Sequence, residues 1–375
     1  NRYKLSILYI KSMGQDTSKK NLEEDITAFD AKTDFFVQLP CYYTQDAKWQ
    51  TAAAALDTTI SDLPKLLAVL KSTIRYQRKT KVSSDNDDEE EEIDEDLAPL
   101  LVTYLANATD NQQQQFFSTI LPNVQSWALA ITAEFPLKQY GNDGLLLLTA
   151  QQSKRLVLSR TQVRCLLANA FFGTLLHARR FHKGNFPSSF NLPDSFLKNI
   201  YKPSIAQLEM LLNYFYRCSQ SDPKGNITIS RQVSVEKDMK FWKSSDVSVT
   251  DVHTTHDITI EAVPNSLHAN FANKFIGGGV LSRGWAQEEI LFSIKPECLV
   301  TLMICERMCR NESILISGAE QFSSYTGYGF RLGYGGNFND SDDTNDFCDI
   351  ICYDALSDFK DGQFSPKYVL RELNK

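Results

Sequence analysis

The chain has 375 residues, of which 42% are hydrophobic and 23% are charged. This length suffices for two or three domains, and the composition excludes a wholly disordered or collagen-like protein. No apolar run approaches the roughly 20 residues of a membrane-spanning helix, so we expect no membrane partner. Because the first residue is Asn1 and not Met, we expect a fragment of a longer protein.

The formal net charge of −7 is concentrated in one acidic run. Between Asp85 and Asp96, ten of twelve residues are Asp or Glu. The remainder of the chain is slightly basic, whereas a dedicated nucleic-acid binder usually carries a strongly basic face. We therefore expect no direct nucleic-acid readout, and the charge still permits a small anionic ligand.

The eight cysteines are too sparse for a disulfide scaffold and include no CxxC pair of the kind that builds zinc sites. We interpret them as reduced thiols, which predicts a location in the nucleus and/or the cytoplasm. The basic cluster Arg75–Lys81 fits a nuclear address or a solvated surface. His253 and His256 lack an obvious third ligand, so no metal and no cofactor are predicted.

From about Lys48 to Arg180, apolar residues recur at helical spacing. The clearest predicted helix runs from Ser159 to about Leu176, with Thr161 as its N-cap. The dense acidic residues at about 80–96 predict a disordered loop, because like charges stay solvated. Residues 1–220 are therefore predicted to form an all-helical accessory domain.

After Pro223 the pattern changes to short β-branched runs of the kind found in strands. These runs lie at 227–229, 247–249, 258–260, 314–316 and 350–351. Two helices are predicted between them, from Gln287 to about Ile294 and from Pro296 to about Cys309. Alternating strands and helices predict an α/β domain with a parallel or mixed sheet at 221–375.

One segment combines three consecutive glycines, Gly277, Gly278 and Gly279, with a later Gln287-Glu288-Glu289. Three glycines suit a place where the backbone turns sharply or lies against a ligand. The N–H groups of such a loop can bind phosphate oxygens. The residues that define a P-loop, a dinucleotide fingerprint or a hydrolase elbow are absent.

The adjacent acids Glu288 and Glu289 have two interpretations. Near a helix start, carboxylates stabilise the helix through its macrodipole. Alternatively, because neighbours on a helix point roughly 100° apart, one side chain can face a cleft while the other faces its wall. An acid/base and a hydroxyl-binding carboxylate would then suit cleavage of a glycosidic bond.

The Gly277–Gly279 and Gln287–Glu289 pair resembles the signature of the poly(ADP-ribose) glycohydrolase family. Flanking segments match this family in the same order, and they are Cys165–Phe172, Phe271–Asn273, Glu320–Tyr328, Asp354–Leu356 and Arg371–Lys375. The resemblance is clear from about Gln162 to Lys375. It implies an α/β macrodomain-like fold, with a mixed sheet flanked by helices, behind an N-terminal all-helical accessory domain.

The resemblance also implies an activity, the hydrolysis of ribose–ribose bonds in poly(ADP-ribose) with release of ADP-ribose. The implied partners are this polymer, ADP-ribose and poly(ADP-ribosyl)ated proteins. Glu289 matches the catalytic acid, which protonates the departing ribose oxygen and then acts as base towards water. Glu288 matches the carboxylate that holds ribose hydroxyls.

The remaining positions implied by the resemblance contact the substrate. They are Asn273 and Gln287 for the ribose and the loop, Ile260 and Glu261 for the adenine, Tyr328 for packing on the nucleotide, and Gly277, Gly278 and Gly279 for the diphosphate. From the residues alone, Tyr328 also fits an aromatic core and Glu261 also fits a charge at a strand end.

Two departures distinguish this chain from the family pattern. Asn270, which we keep among the substrate-binding candidates, stands where the family has an Asp important for activity, and an amide lacks its charge and basicity. The sequence also ends at Lys375, before a further glycine-rich phosphate loop and a late aromatic, so we expect an incomplete C-terminal part.

A non-catalytic module that binds ADP-ribose or its polymer, and an interaction scaffold, are the alternatives. Glu288 and Glu289 favour the enzyme, because a pure binder needs no carboxylate pair beside an anion.

Overall fold

The computed structural model describes most of the chain. The described residues are 7–9, 36–37, 39, 47–78, 97–136, 144–175, 190–246, 248, 252–255, 258–263, 266–338, 349–356 and 362–375. The predicted acidic loop and the ends of the predicted strand 247–249 lie outside them. Within these ranges, no helix has the length and apolar character needed to span a membrane.

Helices dominate the N-terminal half, as predicted. The α-helices are α1 Ala47–Leu56, α2 Leu63–Arg78, α3 Pro99–Asn107, α4 Asp110–Gln115, α5 Leu121–Leu129, α6 Ile131–Glu134, α7 Arg160–Phe172, α8 Lys202–Gln220, α9 Met239–Lys243, α10 Gln287–Ile294, α11 Thr301–Ile304 and α12 Pro366–Leu373. A π-helical turn, Phe116–Ile120, joins α4 to α5. The shorter 3-10 turns are Leu192–Asp194, Phe196–Lys198, Ile260–Ala262, Pro296–Val300 and Gly329–Arg331.

Helix α7 is the most deeply buried helix of the accessory half, with buried residues on every face. The predicted N-cap Thr161 is wrong. Ser159 takes that place, because its hydroxyl accepts a hydrogen bond from the Gln162 N–H at 3.1 Å while the Gln162 side chain accepts from the Ser159 N–H at 3.0 Å. The helix ends at Gly173, whose φ of 70° is left-handed.

The strands of the described residues form one main sheet and three small two-stranded ribbons. They are β1 Ile7–Tyr9, β2 Phe36–Val37, β3 Leu145–Leu146, β4 Lys154–Ser159, β5 Asn226–Val233, β6 His253–Thr255, β7 Leu267–Ala272, β8 Glu312–Ser317, β9 Ser323–Thr326, β10 Gly333–Asn337 and β11 Asp349–Asp354. The five-stranded sheet has the order β4-β5-β8-β11-β7. Only the β11–β7 pair in it is parallel, which confirms the predicted mixed sheet.

Three predicted strands, at 227–229, 314–316 and 350–351, lie in β5, β8 and β11. The strand predicted at 258–260 is wrong, since Ile260–Ala262 forms a 3-10 turn there. The long helix predicted from Pro296 is instead a 3-10 turn followed by the four residues of α11. Strand β4 precedes the predicted domain boundary, so the sheet takes one strand from the N-terminal half, and the 1–220/221–375 division stays a prediction.

A single large hydrophobic core runs from the helices through the sheet. The strands β7 and β11 are parallel and in register up to Ala272 and Asp354, so their carboxyl ends meet at one edge of the sheet. In α/β proteins, ligand sites form beyond the carboxyl ends of such strands. The chain leaves β7 at this edge and enters the glycine segment directly.

Candidate active site

The triple glycine forms a tight turn that only glycine can make. Gly277 and Gly278 have left-handed φ values of 87° and 52°. A Cβ on Gly277 would lie 2.5 Å from Leu302, and one on Gly278 would lie 2.4 Å from Glu289 Oε1. The glycines therefore let the backbone turn and let a carboxylate approach it.

All three N–H groups of this turn are hydrogen-bonded within the protein. Gly277 donates to Glu288 Oε1 at 2.7 Å, Gly279 donates to Glu289 Oε1 at 2.9 Å, and Gly278 donates to the Phe275 carbonyl at 3.0 Å. The turn thus holds both carboxylates of the acidic pair. Contact of Gly277–Gly279 with a diphosphate requires these partners to be exchanged, and it stays a prediction.

Glu288 is buried, with 4% of its surface exposed. Its Oε2 accepts the Asn273 N–H at 2.8 Å, and its Oε1 is 3.4 Å from Asn270 Nδ2. Burial raises the pKa of Glu288 to about 8, although the backbone hydrogen bonds from Asn273 and Gly277 lower it; the neighbouring Glu289 raises it further. Burial therefore favours the protonated form of Glu288.

Glu289 is also buried, at 9% exposure, and is fixed from two directions. Its Oε2 accepts the Ala286 N–H at 2.8 Å, which caps the first turn of α10 because Ala286 has no acceptor side chain of its own. Its Oε1 faces the glycine turn. The contact with Ala286 agrees with the helix-stabilising interpretation of this carboxylate, and the cleft-facing interpretation stays a prediction.

Asn270 and Gln287 connect the acidic pair to strand β7. Asn270 is fully buried, and its Oδ1 has no hydrogen-bond partner in the described part of the chain. The Gln287 amide accepts from the Phe271 N–H and donates to the Ala269 carbonyl, both at 3.1 Å. Gln287 thus holds the start of α10 against the edge of the sheet.

Glu261 and Tyr328 both lie near Tyr325, and the 3-10 turn that carries Ile260 and Glu261 contacts β7. Burial raises the pKa of Tyr325 to about 12. The nearby Glu261 and Tyr328 also raise it. Tyr328 is 60% exposed and is not a core residue. The Gly329 N–H donates to the Trp285 carbonyl at 3.1 Å, which ties this loop to the start of α10.

Gly284 was not predicted as a site residue. A Cβ at Gly284 would lie 2.6 Å from Cδ and Cγ of Glu289, so this glycine also leaves room for the carboxylate. The signal in the sequence is a further glycine placed just before a helix that begins with alanine as N-cap. The contact between Gly284 and Glu289 cannot be predicted from the sequence, because it depends on how the chain folds back between Gly279 and Gly284.

The described residues contain no group of three or more His, Cys, Asp or Glu side chains that could hold a metal ion. Of the pair His253 and His256, His256 lies outside the described residues. The described cysteines are free, and all except Cys309 are buried.

Two family models match the chain in sequence, and together they cover more than half of it. Residues 108–231 match the helical domain of poly(ADP-ribose) glycohydrolase, and residues 239–375 match its macro domain fold. The chain belongs to the poly(ADP-ribose) glycohydrolase family. The expected helical accessory domain and macrodomain are thereby confirmed.

Curated relatives agree with this assignment to the glycohydrolase family. Poly(ADP-ribose) glycohydrolase 1 of Arabidopsis thaliana is 32% identical over 280 residues, which are 71% of this chain and 51% of that protein. The probable poly(ADP-ribose) glycohydrolase 2 of the same plant is 31% identical over 62% of this chain and 47% of its own length. Poly(ADP-ribose) glycohydrolase 1 of Caenorhabditis elegans is 35% identical over 47% of this chain and 21% of its own length. The chain spans about half the length of the plant relatives.

Proposed function

We propose that the chain hydrolyses ribose–ribose O-glycosidic bonds in poly(ADP-ribose) and releases ADP-ribose. The observation that carries the proposal is the pair Glu288 and Glu289, two buried neighbouring carboxyl groups held on a glycine turn. In the described part of the chain, neither has a cation within ion-pair distance. Buried carboxyl groups without cations are typical of acid/base sites, and the names of the relatives indicate the substrate.

In the proposed reaction, Glu289 is the general acid and then the general base. Its carboxyl proton moves to the departing ribose oxygen as the bond from that oxygen to the anomeric carbon breaks. The remaining ribose is oxocarbenium-like in the transition state. The Glu289 carboxylate then takes a proton from water, whose oxygen bonds to the anomeric carbon, and the acid is restored.

The environment of Glu288 favours the protonated form of that carboxyl group. Its pKa is raised to about 8, chiefly by burial. In our proposal Glu288 positions ribose hydroxyls, Asn273 and Gln287 hold the loop and ribose, and Asn270 supports Glu288. Glu261, Ile260 and Tyr328 would contact the adenine end.

We also propose poly(ADP-ribosyl)ated proteins as the carriers of the substrate, and the nucleus and/or cytoplasm as the location. The free thiols of the described cysteines suit such a reducing compartment.

The test is release of ADP-ribose from labelled poly(ADP-ribose) by the purified chain. Glu289→Gln should reduce the rate at least about 100-fold, the lower range for loss of an acid/base group. The matched control is Glu236→Gln at an exposed carboxyl, which should keep the rate. Comparison of the pH–rate profiles of Glu288→Gln and wild type shows which of the two carboxyl groups sets the pH dependence of hydrolysis. Polymer that binds wild-type protein yet stays intact would overturn the enzyme and support a binding module.

A further inference from the structure

A cluster of aromatic side chains lies next to the carboxylate pair and has no role in the proposed reaction. It comprises Tyr201, Trp285 and Phe330, together with Arg283, and we call it the aromatic ledge. The Phe330 ring is 73% exposed and lies 4.8 Å from the Trp285 ring, centroid to centroid, at 56°. The buried Trp285 in turn packs on Tyr201 at 5.6 Å.

The ledge has a rigid base. Trp285 belongs to a small hydrophobic cluster, separate from the main core, with residues of α8 and α10. Leu332, which follows the 3-10 turn that carries Phe330, is buried in the same cluster. Phe330 therefore presents an open ring face on a fixed support, which is the arrangement of a stacking platform.

Arg283 adds an available cation to this surface. Its guanidinium carbon lies 5.0 Å from the centroid of the Tyr201 ring. Arg283 is exposed, and among the described residues it has no carboxylate within ion-pair distance. An unpaired arginine beside an exposed ring suits a ligand that combines an aromatic base with phosphate.

The ledge is covalently continuous with the residues that hold Glu289. Gly284, between Arg283 and Trp285, donates its N–H to the Gly279 carbonyl at 2.9 Å. Trp285 precedes Ala286, whose N–H binds Glu289. Tyr328 lies near Tyr325, whereas Phe330 packs on Trp285, so the two exposed rings have different neighbours.

We propose that Phe330 and Arg283 form a subsite for the ADP-ribose unit adjoining the bond to be cleaved. The adenine of that unit stacks on the exposed face of Phe330, and its pyrophosphate pairs with Arg283. This inference rests on the proposed function, because it concerns how the polymer of that reaction is held. It makes the ledge a determinant of polymer binding and not of binding to free ADP-ribose.

The test measures dissociation constants for a purified two-unit ADP-ribose oligomer and for monomeric ADP-ribose, both in the Glu289→Gln background. Phe330→Ala should weaken oligomer binding roughly 5- to 100-fold, the range for loss of one stacked base, and change ADP-ribose binding less than about twofold. Phe330→Tyr keeps the ring and should retain affinity. The matched control is Phe241→Ala, since Phe241 is another exposed phenylalanine packed on a tryptophan, Trp242.

A second pair of variants tests the cation. Arg283→Gln should weaken oligomer binding and reduce its salt dependence, whereas Arg283→Lys should preserve the salt dependence. Thermal melting of each variant shows that the fold is intact. An oligomer of riboadenylate, which offers the same bases and phosphates on a different backbone, is the competitor.

Four results would overturn the inference. Equal losses for oligomer and monomer would place Phe330 in the terminal nucleotide site. Unchanged oligomer affinity, with polymer hydrolysis intact in the wild type, would remove the subsite and leave the proposed function standing. Riboadenylate binding as tightly, with the same sensitivity to Phe330→Ala, would identify a general single-strand site. Wild-type protein that neither binds ADP-ribose nor cleaves the polymer would remove both proposals.

Discussion

Buried glutamates occupy two regions of this molecule with opposite surroundings. Glu297 is fully buried and receives two hydrogen bonds from the Arg160 guanidinium, at 2.7 and 3.0 Å. Arg160 also pairs with Glu320 at 2.6 Å. By contrast, among the residues that the structure describes, Glu288 and Glu289 have only backbone N–H donors and one side-chain amide as partners, and each lies next to another carboxyl group.

The contrast separates a structural role from a chemical one. A carboxylate removed from water is costly unless a cation accompanies it, and the Arg160–Glu297 pair meets this requirement while fixing α7 to the turn at Pro296. The Glu288–Glu289 pair does not meet it. Burial raises the pKa of Glu288, and a buried carboxyl group of this kind suits acid/base chemistry.

The largest expected effect is on the structural side. Arg160→Met leaves Glu297 buried without its cation and should lower the free energy of unfolding by about 3–5 kcal/mol, measured by urea denaturation. Adding Glu297→Met should recover most of this loss, because Glu320 keeps its Arg217 partner at 3.0 Å. Glu289→Gln should cost only about 1–2 kcal/mol, the range for a mismatched buried hydrogen bond. An equal loss in Glu289→Gln and Arg160→Met would make Glu289 a structural group.

Glu288 should give the stability of the protein a distinct pH dependence. The folded-state pKa of Glu288, about 8, exceeds its ordinary value of 4.5, so folding favours the protonated form. Its contribution is fully present below pH 4.5 and is lost as the pH rises through 8, with a total on the order of 5 kcal/mol. Melting temperatures between pH 5 and 9 should therefore decline less in Glu288→Gln than in the wild type. Parallel curves for the two proteins would contradict the unpaired character of Glu288.

Gly284→Ala tests whether displacement of Glu289 lowers activity while the fold stays stable. Gly284 is not in the left-handed region, so the added Cβ acts by contact, at 2.6 Å from Glu289 Cδ. Displacement of the acid should reduce polymer hydrolysis by roughly 10-fold or more, since small misplacements of catalytic groups are costly. The control is Gly225→Ala, which has a φ of 91° and no neighbour within 4 Å. It should lose about 1 kcal/mol of stability and no activity.

The smallest expected effect concerns Asn270. Asn270→Asp would place a third carboxyl group beside Glu288, in a site shared with the buried Cys352 thiol at 3.3 Å. A like charge should raise the pKa of Glu288 further, and this is visible as a shift in the pH dependence of the melting temperature. Asn270→Leu removes the amide donor without adding charge. If both variants shift the pH dependence of the melting temperature equally, the shift comes from the lost amide donor and not from the added charge.

The sequence pattern predicted those parts of the fold in which apolar periodicity is regular, such as β5, β8 and β11. It missed β7 because His268 and Asn270 occupy buried positions of that strand, which inverts the usual alternation. The glycine turn and the acidic pair were predictable as a cluster, because glycine runs and adjacent acids are rare enough to stand out. The hydrogen bonds between the turn and the acidic pair, and the contact of Gly284 with Glu289, depend on how the chain folds back on itself. The spacing of residues in the sequence does not indicate them.

The side-chain amide of Gln287 has a consequence for solubility. Strand β7 is the outer strand of the sheet, and an outer strand offers free backbone groups to any passing β-segment. By occupying the Phe271 N–H and the Ala269 carbonyl, Gln287 acts as a short piece of neighbouring strand that cannot be extended. One glutamine thus covers two backbone groups of the outer strand and leaves them unavailable for pairing with a strand of another molecule.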